Sequence, residues 1–160
     1  MAETVTTLNA SNPTHANALH VVVAEDDEEM RYLVAQTFRK AGFRVTEIKN
    51  GLRLMEYAAV ICGSEGYSEH VDLIVSDIRM PGGTGIRFLQ GTRDIVNLPP
   101  VILITAFGDQ RTHELGLELG AVAVIDKPFD LDMLLDRAKA VITSARNRTT
   151  EPPPLQGTAP

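Results

Sequence analysis

Three short apolar runs constrain this chain more than any other feature: Val21, Val22 and Val23, then residues 71–76 (VDLIVS), then residues 101–105 (VILIT). They lack the strict apolar-polar alternation of a strand with one wet face. Largely apolar runs of this length, the first of them wholly β-branched, mark strands covered on both faces, as the central strands of a parallel sheet are. Each also stops at a polar residue: Glu25 follows the first, Asp77 the second, and Thr105 ends the third.

Between the runs the apolar period changes. Met30, Leu33, Val34, Phe38 and Ala41 fall on one face of a helix over residues 27–41, with acidic residues in its first turn, Lys40 at its last, and Gly42 as the stop. Residues 43–48 read as a second strand, Asn50 and Gly51 as a turn, and Leu52, Met55, Ala58, Ala59 and Cys62 as a second helical face. A short third helix is expected over residues 84–90, with Phe88 and Leu89 in the core. Pro99 and Pro100 precede the strand 101–105. Residues 109–119 have helical length, but their leucines fall at Leu115, Leu117 and Leu119 and Gly116 interrupts them, so this helix is expected to be the least firmly held. Residues 121–125 form a fifth strand ending at Asp126, Lys127 and Pro128. Leu131, Leu134, Leu135, Ala138, Val141 and Ile142 then give the clearest amphipathic helix.

Five strands alternating with helices imply an α/β fold: one doubly wound, five-stranded parallel sheet with right-handed crossovers. Strand order 2-1-3-4-5 fits this count and places the site at the carboxyl ends of the strands beside the switch point, between strands one and three. Those ends carry Glu25, Asp26 and Asp77.

At 160 residues the chain is read as one domain over 19–146, with a flexible lead-in at 1–18 and a disordered end or linker at 147–160. Whether it is a stand-alone protein or a piece separated at the linker around Pro152 and Pro154 is left open. Hydrophobic residues at 44% and charged residues at 22% are ordinary for a globular chain, and a net charge of −6 without a basic stripe argues against direct nucleic-acid binding. The apolar runs are too short for a membrane span and residues 1–12 lack the pattern of a signal peptide, so a cytoplasmic location is expected. Cys62, the single cysteine, permits no internal disulfide and is read as a small buried apolar residue. None of His15, His20, His70 and His113 has ligand or catalytic spacing, and all are read as solvent-facing or tail residues.

Three carboxylates brought together repel by roughly 4 kcal/mol per pair at about 4 Å and an effective dielectric near 20, as an upper guide. A hard divalent cation offsets that, and Mg2+ accepts carboxylates, a backbone carbonyl and waters. Two further strand ends bring the Thr105 hydroxyl and the Lys127 ammonium to the same edge. A carboxylate that attacks a phosphoryl group needs such cations and donors to hold the oxygens in the transition state. Glu28 and Glu29 have the simpler reading of a first helical turn favoured by the helix dipole.

With EDD at residues 25–27, SDIRMPG around Asp77, ITA at 104–106 and DKPF at 126–129, the chain resembles a response regulator receiver domain over about 19–146. The resemblance implies the flavodoxin-like receiver fold and a phosphorylation-dependent switch of a two-component or phosphorelay system, with at most slow self-phosphorylation and self-dephosphorylation. Asp77 would accept a phosphoryl group from a histidine kinase or a histidine phosphotransfer protein. Asp26 would hold Mg2+ directly, Glu25 through water, and the main-chain carbonyl of Arg79 would complete the ligands with Asp77. Lys127 would pair with the phosphoryl oxygens and Thr105 would swing toward them. The Lys127–Pro128 bond is often cis in such domains. A downstream protein partner or a separate output domain is implied, with the fourth helix, fifth strand and fifth helix as the partner surface and a phosphorylation-linked homodimer as one allowed state.

Two departures stand out. Where the family usually has an aromatic residue three positions before its lysine, this chain has Val124, so no ring couples Thr105 to the outer face; the loosely held helix over 109–119 is expected to carry the signal instead. The loop over 63–70 is longer than the family's. Two other readings share the fold: a receiver-like binding module that works without phosphorylation, and a Mg2+-dependent phosphohydrolase with an aspartyl nucleophile. The intact set of Glu25, Asp26, Asp77, Thr105 and Lys127 argues against the first. Arg79, where an acid-base carboxylate would be expected two residues after the nucleophile, argues against the second. A nucleotide enzyme would need a glycine-rich turn after the first strand, where Glu25 to Glu29 stand instead.

Overall fold

A computed structural model describes residues 18–63 and 69–150. Its elements alternate without exception: β1 (His20–Ala24), α1 (Glu28–Lys40), β2 (Arg44–Ile48), α2 (Gly51–Gly63), β3 (Leu73–Asp77), α3 (Gly85–Gly91), β4 (Val101–Thr105), α4 (Gln110–Glu118), β5 (Ala123–Asp126) and α5 (Leu131–Thr150). All strands pair in parallel, in the order β2-β1-β3-β4-β5 expected from the sequence.

The apolar runs lie where a two-sided sheet needs them. Every residue of β1, β3 and β4 is buried. Because side chains alternate between faces, Val22, Ala24, Ile74 and Leu103 join Leu54, Ala58, Phe88 and Leu89 in the layer under α2 and α3. Val21, Val23, Leu73, Val75, Ile102 and Ile104 join Val34, Phe38, Leu134, Ala138 and Ile142 under α1 and α5. Phe38 and Phe88 are the largest fully buried side chains, one on each face; truncating either to alanine costs about 3–5 kcal/mol. Phe38 also meets Phe43 edge to face at 5.4 Å, which fixes the return from α1 into β2.

Local signals account for the helix ends. Asp27 caps α1 by accepting from Met30 N–H, Thr84 caps α3 from Arg87 N–H, and Asp109 caps α4 from Thr112 N–H. Gly42 at φ +90° ends α1.

Helix α5 continues past residue 146 to Thr150. Arg146 Nη2 binds Asp72 Oδ1 at 2.9 Å, and the helix propagates beyond that anchor because each added residue closes one more hydrogen bond. Residues 1–17 of the expected lead-in at 1–18, the central residues 64–68 of the long loop and residues 151–160 of the expected tail lie outside the described residues. Cys62 is half-buried, and burial raises its thiol pKa. Among the described residues no helix is long and apolar enough to cross a membrane.

Candidate functional site

The strand ends converge because β1, β3 and β4 are parallel neighbours. Ala24 pairs with Ser76, Asp77 with Ile104, and Thr105 with Asp126, so the residues that follow each strand open on one edge. Carboxylate oxygens of Glu25, Asp26 and Asp77 lie within 4.8 Å of one another. Glu25 and Asp77 are buried and Asp26 is exposed, which gives an acidic pocket with two inner walls and one outer wall.

Lys127 reaches into this pocket from beyond β5. Its Nζ donates to Asp77 Oδ2 at 2.6 Å and to Glu25 Oε2 at 2.7 Å. Burial pulls the lysine pKa down, but the two carboxylate bonds outweigh it and hold the ammonium above its usual value. Glu25 shows the opposite balance. Burial and the charge of Asp77 push its pKa up, from 4.5 to about 7, against the Lys127 hydrogen bond and the Asp27 N–H that hold it down. The second oxygen of Asp77, Oδ1, accepts from Arg79 N–H at 2.8 Å. That bond folds the β3–α3 turn back over the end of its own strand.

The glycines of this turn permit the fold-back. Gly82 and Gly83 have φ of +77° and +146°, conformations L side chains rarely adopt. A Cβ at Gly85 would lie 2.8 Å from the Asp77 carbonyl, and one at Gly51 would overlap the main chain of Gly83. The GGTG run is thus a packing device for the loop beside Asp77.

Thr105 is buried, and its Oγ1 accepts from Phe107 N–H at 3.2 Å, so its hydroxyl is engaged by its own loop. The Thr105 carbonyl accepts from Lys127 N–H at 2.7 Å, which ties the two strand ends together. The Lys127–Pro128 bond is cis. All the residues singled out from the sequence, Glu25, Asp26, Asp77, Arg79, Thr105 and Lys127, belong to this edge.

Sequence reasoning missed several neighbours. Arg31 donates from Nη1 to the Glu25 carbonyl at 2.9 Å and lies 3.4 Å from Glu47, holding the acidic loop from outside. The Arg79 guanidinium stacks over the Phe107 ring at 4.7 Å, joining the β3–α3 and β4–α4 loops. His113 binds Asp126. His20 is a correction: it is buried, with Nε2 bonded to Thr46 Oγ1 at 2.8 Å and Nδ1 near the His70 carbonyl and Arg44. The pattern that marked β1 as two-sided, extended back by one residue, was the available signal.

Comparison with known proteins gives the same picture. Residues 21–139 match the model of the response regulator receiver domain. The chain is 30% identical over 133 residues to the transcriptional regulatory protein GltR of Pseudomonas aeruginosa, covering 82% of this chain and 52% of that protein. It is 28% identical to sporulation initiation phosphotransferase F of Bacillus subtilis, over 79% of this chain and 96% of that one. It thus spans a little over half of the transcriptional regulators it matches. Among solved structures, the receiver domain of the Francisella response regulator 1452 superposes with a TM-score of 0.70 at 25% identity, over 79% of this chain and 98% of that one. With its sheet order, its acidic strand ends and a family match over most of its length, the chain belongs to the response regulator receiver domains of two-component signalling.

Proposed function

We propose that the chain is a phosphorylation switch in which Asp77 accepts a phosphoryl group from a phosphohistidine. The observation that carries this reading is the position of Asp77: buried at the end of β3, bonded through Oδ2 to Lys127, and grouped with the Glu25 and Asp26 carboxylates. A lone structural aspartate would need a cation but not two further carboxylates. An Asp77 oxygen attacks phosphorus, the phosphorus–nitrogen bond to the donor imidazole breaks, and the nitrogen leaves with the electron pair. Lys127 is already seated to hold a phosphoryl oxygen, and Thr105 can turn its hydroxyl toward another by releasing Phe107 N–H.

The three side chains fit a hard divalent cation, since they offer carboxylate oxygens close enough to share one ion and Asp26 faces solvent. Bound there, Mg2+ would neutralise phosphoryl oxygens during transfer. Asp26 is the open ligand; Glu25, engaged by Lys127, suits a role through water; the carbonyl of Arg79 follows from its place in the same turn. The phosphohydrolase reading finds less support, because the Arg79 side chain is taken up by Phe107 and offers no acid-base group to Asp77. The donor is a histidine kinase or histidine phosphotransfer protein, and the output is altered binding of a protein partner or of an attached output domain.

Intact mass after incubation with acetyl phosphate and Mg2+ tests this. Wild type should gain one phosphoryl group, while Asp77→Asn, or wild type with chelator, should gain none. No adduct and no released phosphate would favour a phosphorylation-independent binding module. Rapid release without a trapped adduct would restore the phosphohydrolase.

A further inference from the structure

Helix α4 is held weakly, as its scattered leucines predict: of its residues only Gly116 is buried, and Leu117 is 52% exposed. Gly116, which looks like an interruption in the sequence, is a close contact. A Cβ there would lie 2.8 Å from Val124 Cγ2 and 3.1 Å from Leu103 Cδ1. The helix therefore rests directly on β5 at the residue where receivers usually carry a ring.

One turn earlier, His113 Nε2–H donates to Asp126 Oδ1 at 2.8 Å. Asp126 occupies a special place: it pairs in register with Thr105 and immediately precedes Lys127. A single side chain thus links α4 to the strand end that carries the phosphoryl-binding lysine. The β4–α4 loop closes over this bond at Gly108, where a Cβ would overlap both Asp126 Oδ1 and His113 Nε2. At its start the same loop is held by Phe107 N–H on Thr105 Oγ1.

We infer that the His113–Asp126 bond, covered by Gly108, is the tether that fixes α4 in the unphosphorylated protein and couples it to Thr105 and Lys127 in the absence of an aromatic residue at 124. When the Thr105 hydroxyl turns inward, Phe107 N–H is released and the loop is free to pivot about what is left of its anchoring. As the loop moves, Gly108 leaves the pair it covers, the tether opens and α4 is released. A coupling contact needs two arrangements of a discrete element, and a helix whose one buried residue is a glycine, tied to the end of β5 by a side-chain hydrogen bond, provides them. His113 acts here as a positioning residue and touches no reacting atom. The transmitted signal rests on the phosphoacceptor reading; the resting tether does not.

Hydrogen exchange of the α4 amides, measured before and after acetyl phosphate and Mg2+ with intact mass as a monitor, tests the tether. Three variants are compared with wild type. In His113→Ala, α4 should exchange about 2- to 5-fold faster without phosphorylation, the range for loss of one partly exposed side-chain contact. Alanine favours helix, so local propensity would act the other way. Gly108→Ala, which displaces the pair by a separate route, should do the same, and His113→Gln, whose amide can still donate, should restore slow exchange. Phosphoryl gain should be unaltered in all three, and phosphorylation should accelerate α4 less in His113→Ala and Gly108→Ala than in wild type. Resting α4 exchange equal to wild type in both variants overturns the tether, and an undiminished response to phosphorylation in both overturns the coupling. Absence of a wild-type adduct counts against the phosphoacceptor reading alone, because the resting comparison still decides the tether.

Discussion

Glu25 makes the interior of the acidic pocket measurable. The residue is 3% exposed and its pKa is pushed from 4.5 to about 7, burial being the largest cause. At about 1.4 kcal/mol per pH unit, ionised Glu25 is disfavoured in the folded chain by about 3 kcal/mol as a ceiling. The folded value lies above the unfolded one, so the contribution to stability is fully present below pH 4.5 and is lost as pH rises through about 7. Integrating that linkage between pH 6 and pH 8 gives a loss of about 1.3 kcal/mol. The direct assay is urea unfolding of wild type and Glu25→Gln in chelator at both pH values. Glutamine keeps the shape and cannot titrate, so distant groups such as His20 cancel in the difference. Wild type should lose about 1.3 kcal/mol relative to Glu25→Gln on going from pH 6 to pH 8. A difference that stays level across this range would refute the argument that the pocket is desolvated enough to hold a proton on Glu25. Mg2+ affinity should follow the same titration, rising up to pH 7 and levelling above it, because Glu25 must be ionised to accept from a metal-bound water.

The other predictions address neighbouring parts of the same frame. Lys127→Met removes the cation bonded to both Asp77 and Glu25; at pH 8 it should lower unfolding free energy by about 3 kcal/mol, and by less at pH 6 where Glu25 takes up a proton. Equal losses at both pH values in urea titrations would contradict the pairing. Gly51→Ala forces a Cβ into the Gly83 main chain and should displace the turn beside Asp77; calorimetry should find Mg2+ binding weakened about tenfold with far-ultraviolet dichroism retained, the size of effect typical of supporting shells. Unchanged affinity would mean that the turn is placed without this contact. Burial, then the Arg44 charge, hold the His20 pKa below 6.5, against Glu69, the His70 carbonyl and Asp72. Its folded value is depressed, so its stabilisation is present above pH 6.5 and is lost as pH falls toward the lower folded value; His20→Gln should flatten that decline in urea titrations from pH 7.5 to 5.5.

Why some of this was legible in the sequence and some was not follows from what each feature depends on. The burial of β1, β3 and β4 depends only on composition along a few consecutive residues, so VVV, LIV and VILIT declared it directly. The site was legible for a topological reason: once the strands are parallel and ordered, their carboxyl ends must share an edge, and Glu25, Asp26, Asp77, Thr105 and Lys127 come together without any contact having to be guessed. The His20 network is equally well bonded but lies at the other end of the strands. Its partners Thr46, His70 and Arg44 come from 24 to 50 positions away with no periodic mark. Gly116 shows a limit of another kind. A glycine in a helix lowers its intrinsic stability whether it faces water or a neighbouring strand, and only the packing against Val124 and Leu103 distinguishes a flaw from a seat. Val124 and Gly116 are therefore one feature read at two positions. The small residue on β5 and the missing side chain on α4 let the helix sit low enough for His113 to reach Asp126, and a ring at 124 would need the space that this approach removes.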